Sequence, residues 1–345
     1  MTLTLDAKPA SARRGFTSRL QPYMQVGATV ILLVLMLVVG GFLYPNFTSG
    51  QSVMDLLNKN VFLIPLAIGM TFVILSGGID LSVGAVMAFG SVLAAILLRD
   101  GWPAWAVVIT VLAAGSFLGL IVGFVITRFN IQPFIATLAA MFLARGLCFV
   151  LTDRSIDISN AFFSRMNLAQ LDLWESTTYN SRGKPRVSDV YITPAVVIAL
   201  VLLVAAFICL HYTRFGRTVY AIGGSEPSAK LMGLAVPRTK TMVYVISGFC
   251  AAVGGILFAF YTASADPVAG IGYELNAIAA VVIGGTLLSG GSGFVLGSLL
   301  GVLTLGVIYA YVQFEGLNTG WTRILIGALV LFFIVLQRII AVRRR

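Results

Sequence analysis

Between Asn60 and Leu98 the chain carries a single charged side chain, Asp80, within the stretch SGGIDLSVG from Ser76 to Gly84. A carboxylate at the centre of a spanning helix costs about 2.5 to 3.5 kcal/mol on insertion scales, so its presence asks for a role. Two roles suit it. The paired Gly77 and Gly78 permit positive φ and interrupt helices, which would leave Asp80 and Ser82 beside freed backbone groups. The carboxylate could then cap the following helix by accepting from its first amides, or it could line a polar path through apolar surroundings. The two roles are compatible, and both require Asp80 to face protein or water rather than lipid.

A second stretch echoes the first. Gly284-Gly285-Thr286-Leu287-Leu288-Ser289-Gly290-Gly291 fits the same GGxxLSxG pattern 207 positions later. Transporters often contain repeats whose broken helices meet near the membrane midplane; glycine and leucine are also common enough here for a chance match. Glu274 and Asn276, in the run leading to Gly284, join Gly77, Gly78, Asp80, Ser82, Gly284 and Gly285 as candidates for a pathway or a helix break.

A third stretch, YTRFGRTVYAIGGSEPSAKLMGLAVPRTK from Tyr212 to Lys240, is basic, with Glu226 as its sole acid. Ser225 can cap a helix whose first turn holds Glu226 and Pro227, and Gly233 can close it. Such a helix has about two turns, and isolated helices under roughly 12 residues are marginal in water. It must dock on its own protein or in a partner's groove. Leu231 and Met232, with Ala229 nearby, can insert into a groove, while Glu226 and Lys230 sit four apart and can pair.

The elements that position these residues follow from composition. The 345 residues are 59% hydrophobic and 10% charged, with a mean hydropathy of +0.97. Charge-free runs such as Leu20 to Met54, Gly101 to Thr127, Val190 to Thr213 and Thr241 to Ala265 exceed the roughly 20 residues a spanning helix needs. The fold class is all-α, a polytopic integral membrane protein. A membrane β-barrel would instead show alternating segments of about ten residues. Ten spans are predicted, at 26–44, 60–76, 82–98, 104–127, 132–151, 191–212, 241–262, 273–289, 292–312 and 322–340. The first is read as a retained span, because it is longer than a signal core and no A-x-A-like site follows it.

With both termini inside, the inner segments hold 14 basic residues and the outer segments 8, Arg145 lying within a span. The positive-inside rule therefore makes both termini cytoplasmic. The chain divides into a cytoplasmic tail (1–24), a membrane domain (25–340) and a basic tail (341–345). Within the domain, 152–190 is an external, solvated loop and 213–240 a cytoplasmic loop carrying the short helix. The net charge of +10 is then topology rather than nucleic-acid binding, since the charges are dispersed between spans.

Other chemistry is missing. No GxxxxGK[ST] loop, HExxH, cysteine cluster or GxSxG occurs, so neither P-loop ATP hydrolysis nor intramembrane hydrolysis is supported. The chain is not expected to be an enzyme, and no catalytic residue, metal site or cofactor is assigned. Cys148, Cys209 and Cys250 read as packing residues, and His211 has no second histidine with which to share a metal. An ion-coupled carrier would carry several ionisable groups within its spans, whereas only Asp80, Arg145 and Glu274 qualify. An energy source outside the chain is expected.

GMTFVILSGGIDLSVG (Gly69 to Gly84), RFGRTVYAIGGSEPSAKLMGL (Arg214 to Leu234) and GYELNAIAAVVIGGTLLSGGSG (Gly272 to Gly293) closely resemble the permease subunits of ribose-type bacterial ABC sugar importers. The resemblance runs from the first span to Arg338, and within the family the wording is most like a galactofuranose importer permease. It implies a subunit of the bacterial inner membrane that pairs with a second permease, a copy or a relative. It further implies that sugar comes from a periplasmic binding protein and that a separate cytoplasmic ATPase binds the ATP. The family's coupling helix would fall on Ser225, Glu226, Pro227, Ala229, Lys230, Leu231, Met232 and Gly233.

Overall fold

The computed structural model describes residues 17–179 and 185–342. The expected tails lie outside it at 1–16 and 343–345, as does Ser181 in the external loop. The first helices are α1 (Thr17–Leu43), α2 (Gly50–Lys59), α3 (Leu63–Leu75), α4 (Val83–Arg99), α5 (Ala104–Phe129) and α6 (Pro133–Leu151). The segment expected to be external then forms β1 (Ile156–Asp157), α7 (Ala161–Leu168), β2 (Leu171–Tyr179) and β3 (Pro185–Ile192). After α8 (Pro194–Tyr212) come the short α9 (Arg214–Gly224) and α10 (Glu226–Leu231). The chain continues through α11 (Val236–Thr262), β4 (Ser264–Ala265), α12 (Tyr273–Ile283), α13 (Val295–Phe314) and α14 (Thr319–Val342).

The core is built around α11, which packs along α3, α4 and α5. Small residues make this possible, because in an apolar solvent helices associate by close backbone approach rather than by hydrophobic exclusion. A side-chain carbon at Gly115 would lie 2.6 Å from the Gly248 carbonyl oxygen, and one at Gly123 would lie 2.7 Å from the Thr241 Cα. At Gly119, one turn from each, it would overlap the Tyr244 carbonyl. The four-residue glycine spacing on α5 is thus the contact line with α11.

Every predicted span contains a helix, but two are much shorter than expected. The runs at 60–76 and 273–289 contain α3, of 13 residues, and α12, of 11. At 1.5 Å per residue these reach roughly 20 and 17 Å, well short of a hydrocarbon core of about 30 Å. Among the described residues six helices are long and apolar enough to cross a membrane, or seven if α2 and α3, bent by 59° at their junction, count as one broken span. The other three predicted spans fall on the shorter apolar helices Val83–Arg99, Tyr273–Ile283 and Gly320–Val335.

Two further boundaries differ from expectation. Helix α1 begins at Thr17, inside the expected tail, and α11 begins at Val236, inside the expected cytoplasmic loop. The chain is mostly helical, as expected, with little strand: β2 and β3 form an antiparallel hairpin and β1 pairs with β4. The hairpin is seated on α2 by amides: Tyr191 N–H donates to Gln51 Oε1 (3.0 Å), and Asn58 bonds Tyr191 O (3.2 Å) and Thr193 N–H (3.0 Å). Val187 and Val190, three apart, point to opposite faces of β3, Val190 buried and Val187 exposed.

Candidate functional site

Asp80 is enclosed, only 3% exposed, and its carboxylate accepts three hydrogen bonds. Oδ1 takes the Ser82 N–H (2.9 Å) and the Ser82 hydroxyl (2.6 Å), and Oδ2 takes the Ser247 hydroxyl from α11 (2.7 Å). The carboxylate therefore closes the turn just before α4 and bolts it to α11, an arrangement that compensates burial of a charge. This is capping in a modified form. The helix N-cap is Ser82, which makes no side-chain cap bond because its hydroxyl is committed to Asp80.

The two glycines before Asp80 serve different needs. Gly77 has φ +81°, a left-handed C-terminal stop for α3, with the Gly78 N–H returning to the Val73 carbonyl (3.0 Å). Gly78 gives room, since a side chain there would overlap the Tyr244 hydroxyl, which is buried without a hydrogen-bond partner. The second break is built alike. Gly285 has φ +90°, the Thr286 N–H returns to Val281 (3.1 Å), and a side chain at Gly284 would overlap the Gly297 carbonyl. By backbone geometry Gly77 matches Gly285, 208 positions on, so the echo in letters is one residue out of register with the echo in structure.

The two breaks meet each other and α9. The Gly291 N–H donates to the Leu75 carbonyl at 3.0 Å, satisfying an end-of-helix acceptor. A side-chain carbon at Gly290 would lie 2.9 Å from Gly77 N, and one at Gly291 would lie 2.7 Å from Gly224 N. At Gly223 it would overlap the Leu75 carbonyl oxygen. Three chain segments thus touch backbone to backbone. Neither Gly223 nor Gly224 was singled out by the sequence reading; the signal available was the third glycine pair of the chain, directly before the Ser225 cap.

Beyond this junction lies α10. Ser225 accepts from the Ser228 N–H (3.3 Å) and Pro227 occupies the first turn. Gly233, with φ +75°, closes the helix as the Leu234 N–H returns to the Ala229 carbonyl (3.1 Å). Glu226 pairs with Lys230 at 2.8 Å, as the spacing suggested, and also with Lys240 of α11 at 2.5 Å. Lys230 and then Lys240 hold the Glu226 carboxyl below the usual carboxylate range. Ala229 departs from the expected outward face, being buried against Ile222 and Val236. Leu231 and Met232 remain 90% and 66% exposed.

The remaining candidates make no hydrogen bond to Asp80, although a side-chain carbon at Gly84, in the first turn of α4, would lie 2.5 Å from the Glu274 carboxylate. Glu274 starts α12 and accepts the Gly272 N–H at 3.1 Å, while Asn276 Nδ2 donates to the Tyr309 hydroxyl at 2.8 Å. Arg145, within α6, donates to the Pro267 (2.6 Å) and Ala269 (2.7 Å) carbonyls and so holds the segment that precedes α12. Among the described residues no group of three or more His, Cys, Asp or Glu could hold a metal ion.

Long apolar helices, paired helix breaks and a small polar cap define a multi-pass α-helical membrane protein. The family model described as branched-chain amino acid transport system / permease component matches residues 52–334, and the chain belongs to that family. It is therefore a transport permease component rather than an enzyme, of the inner membrane. The chain is 40% identical over 341 residues to the fructose import permease protein FruG of Bifidobacterium longum, covering 98% of this chain and 97% of that one. It is 42% identical to the inner membrane ABC transporter permease protein YjfF of Escherichia coli, over 89% of this chain and 92% of that one. Against the ribose import permease protein RbsC of Escherichia coli identity is 35%, over 96% of this chain and 98% of that one. No solved structure matches.

Proposed function

We propose that this chain is the membrane permease subunit of an ATP-binding-cassette importer that passes a monosaccharide, galactofuranose or a related sugar, into the cytoplasm. The names of FruG and RbsC support a sugar, and the wording of GMTFVILSGGIDLSVG and GGTLLSGG supports galactofuranose. Sugar arrives from a periplasmic binding protein, a second permease completes the path, and ATP is bound by a separate cytoplasmic ATPase rather than by a cofactor of this chain. Both termini face the cytoplasm, as the 14-to-8 division of basic residues supports.

The observation that carries the reading is α10, a six-residue helix that buries Ala229 yet leaves Leu231 and Met232 uncovered. Exposed apolar residues beside a charged rim fit a groove in a partner. Movement of α10 passes through α9 to the glycine junction, where Gly223 touches the end of α3 and Gly224 the second break. Asp80 holds the turn after that junction against α11 rather than lining an open path. The test is uptake of labelled galactofuranose, ribose and fructose by the assembled transporter; strict dependence on the ATPase and binding protein is expected, and uptake by this chain alone under an ion gradient would overturn the reading.

A further inference from the structure

Beside α2 the starts of α3 and α12 and the second half of α13 line an open cavity of about 480 Å³. That is within the range of roughly 300 to 1,000 Å³ for small-molecule sites. Rings and amides share its wall. Phe62 and Tyr273 lie stacked, with centroids 5.2 Å apart and planes at 19°. Beside them Asn276 Nδ2 donates to the Tyr309 hydroxyl at 2.8 Å. A hydroxyl that accepts one bond keeps its own proton to donate, and the Asn276 amide oxygen is an acceptor. The pair therefore offers complementary groups side by side. Asp55 and Lys59 also line the cavity but pair with each other at 3.4 Å, so their charges offset.

We propose that this cavity is a binding station for a neutral monosaccharide within the permease. A sugar ring has an apolar C–H face that suits an aromatic wall, and hydroxyls that both donate and accept, as the Asn276–Tyr309 pair does. A zwitterionic amino acid would instead need an uncommitted cation and an uncommitted anion, whereas Asp55 and Lys59 are engaged with each other. The cavity also collects residues from both sides of the α2–α3 bend and from the half-length α12. The proposal rests on the importer reading above.

The test compares uptake of labelled ribose, fructose, galactofuranose and leucine by the whole transporter carrying Asn276→Ala or Tyr273→Leu, at matched membrane abundance. For the sugar that the unmodified transporter imports, uptake in each variant should fall about tenfold, the loss expected for one hydrogen bond or ring contact of ordinary strength. Unchanged uptake in both variants would place the cavity off the path and overturn the proposal while leaving the importer reading intact. Import of leucine and no sugar would overturn both. A second measurement guards against misfolding: with Ala310→Cys, which lines the same cavity, the imported sugar should slow thiol labelling in membranes. Labelling indifferent to sugar would contradict the station.

Discussion

The Gly291 amide donates to the Leu75 carbonyl across 3.0 Å, so the break between α12 and α13 is fastened to the end of α3 by main chain alone. Gly223 of α9 is wedged against the same carbonyl. Alanine favours a helix over glycine by as much as about 1 kcal/mol, so Gly223→Ala should stabilise α9 if propensity decides. Contact decides here: Gly223→Ala should lower the melting temperature and abolish uptake, while Gly224→Ala, which meets nothing within 4 Å, should change stability by no more than about 0.5 kcal/mol. Equal effects from the two substitutions in a melting assay would refute the junction.

Asparagine at position 80 keeps an oxygen for the two Ser82 donors and gains an amide that can face the Ser247 hydroxyl. Asp80→Asn should therefore assemble and retain appreciable transport. Asp80→Leu leaves the buried Ser82 and Ser247 donors without their acceptor, at about 1 to 3 kcal/mol each, and should fail to accumulate. Folded but inactive Asp80→Asn protein, seen as normal abundance without uptake, would favour a pathway role instead.

How much of this could be read from the letters depends on the range of each interaction. Ser225, Pro227 and Gly233 act within a single turn, so the α10 cap, start and stop were all visible, and so was the Glu226–Lys230 pair. Lys240 and Ser247 reach their partners, and Tyr244 its place against Gly78, through the packing of α11, and no local spacing announces such contacts. The glycine pairs were visible as helix breaks, but their mutual contact was not, because backbone approach leaves no side-chain pattern. The hairpin is missed for another reason: five acidic and five basic residues between Thr152 and Val190 make the segment read as solvated loop.

Topology is tested with single cysteines. Thr177→Cys, on the exposed face of β2, should react with an impermeant thiol reagent from outside, and Ser225→Cys only after the membrane is opened. The reverse pattern would invert the orientation that the basic residues assign.

Glu226 supplies a pH test. Its folded pKa is depressed by Lys230 and Lys240, so the stability it contributes is present above the ordinary glutamate pKa of about 4.3 and is lost as pH falls through the folded value. The pair is partly exposed, so the effect is small and local. Amide protection across residues 226–231, taken relative to the intrinsic exchange rate at each pH, should fall on acidification in the unmodified protein and show no such step in Glu226→Gln.

Proline at Ala229 would remove the amide that bonds the Ser225 carbonyl at 2.9 Å, a loss of about 3 kcal/mol or more within a helix. Because α10 lies outside every predicted span, Ala229→Pro should still insert in the membrane, as judged by fractionation, yet lose sugar-stimulated ATP hydrolysis in the complex.

The central claim is that the partner ATPase grips the uncovered side chains of α10. Leu231→Glu combined with Met232→Glu tests it most directly, since both residues are exposed and neither supports the fold. In the assembled complex, sugar-stimulated ATP hydrolysis should disappear while membrane abundance and melting temperature stay unchanged. Stimulation equal to that of the unmodified complex would mean that the ATPase docks elsewhere, and that α10 only joins α9 to α11.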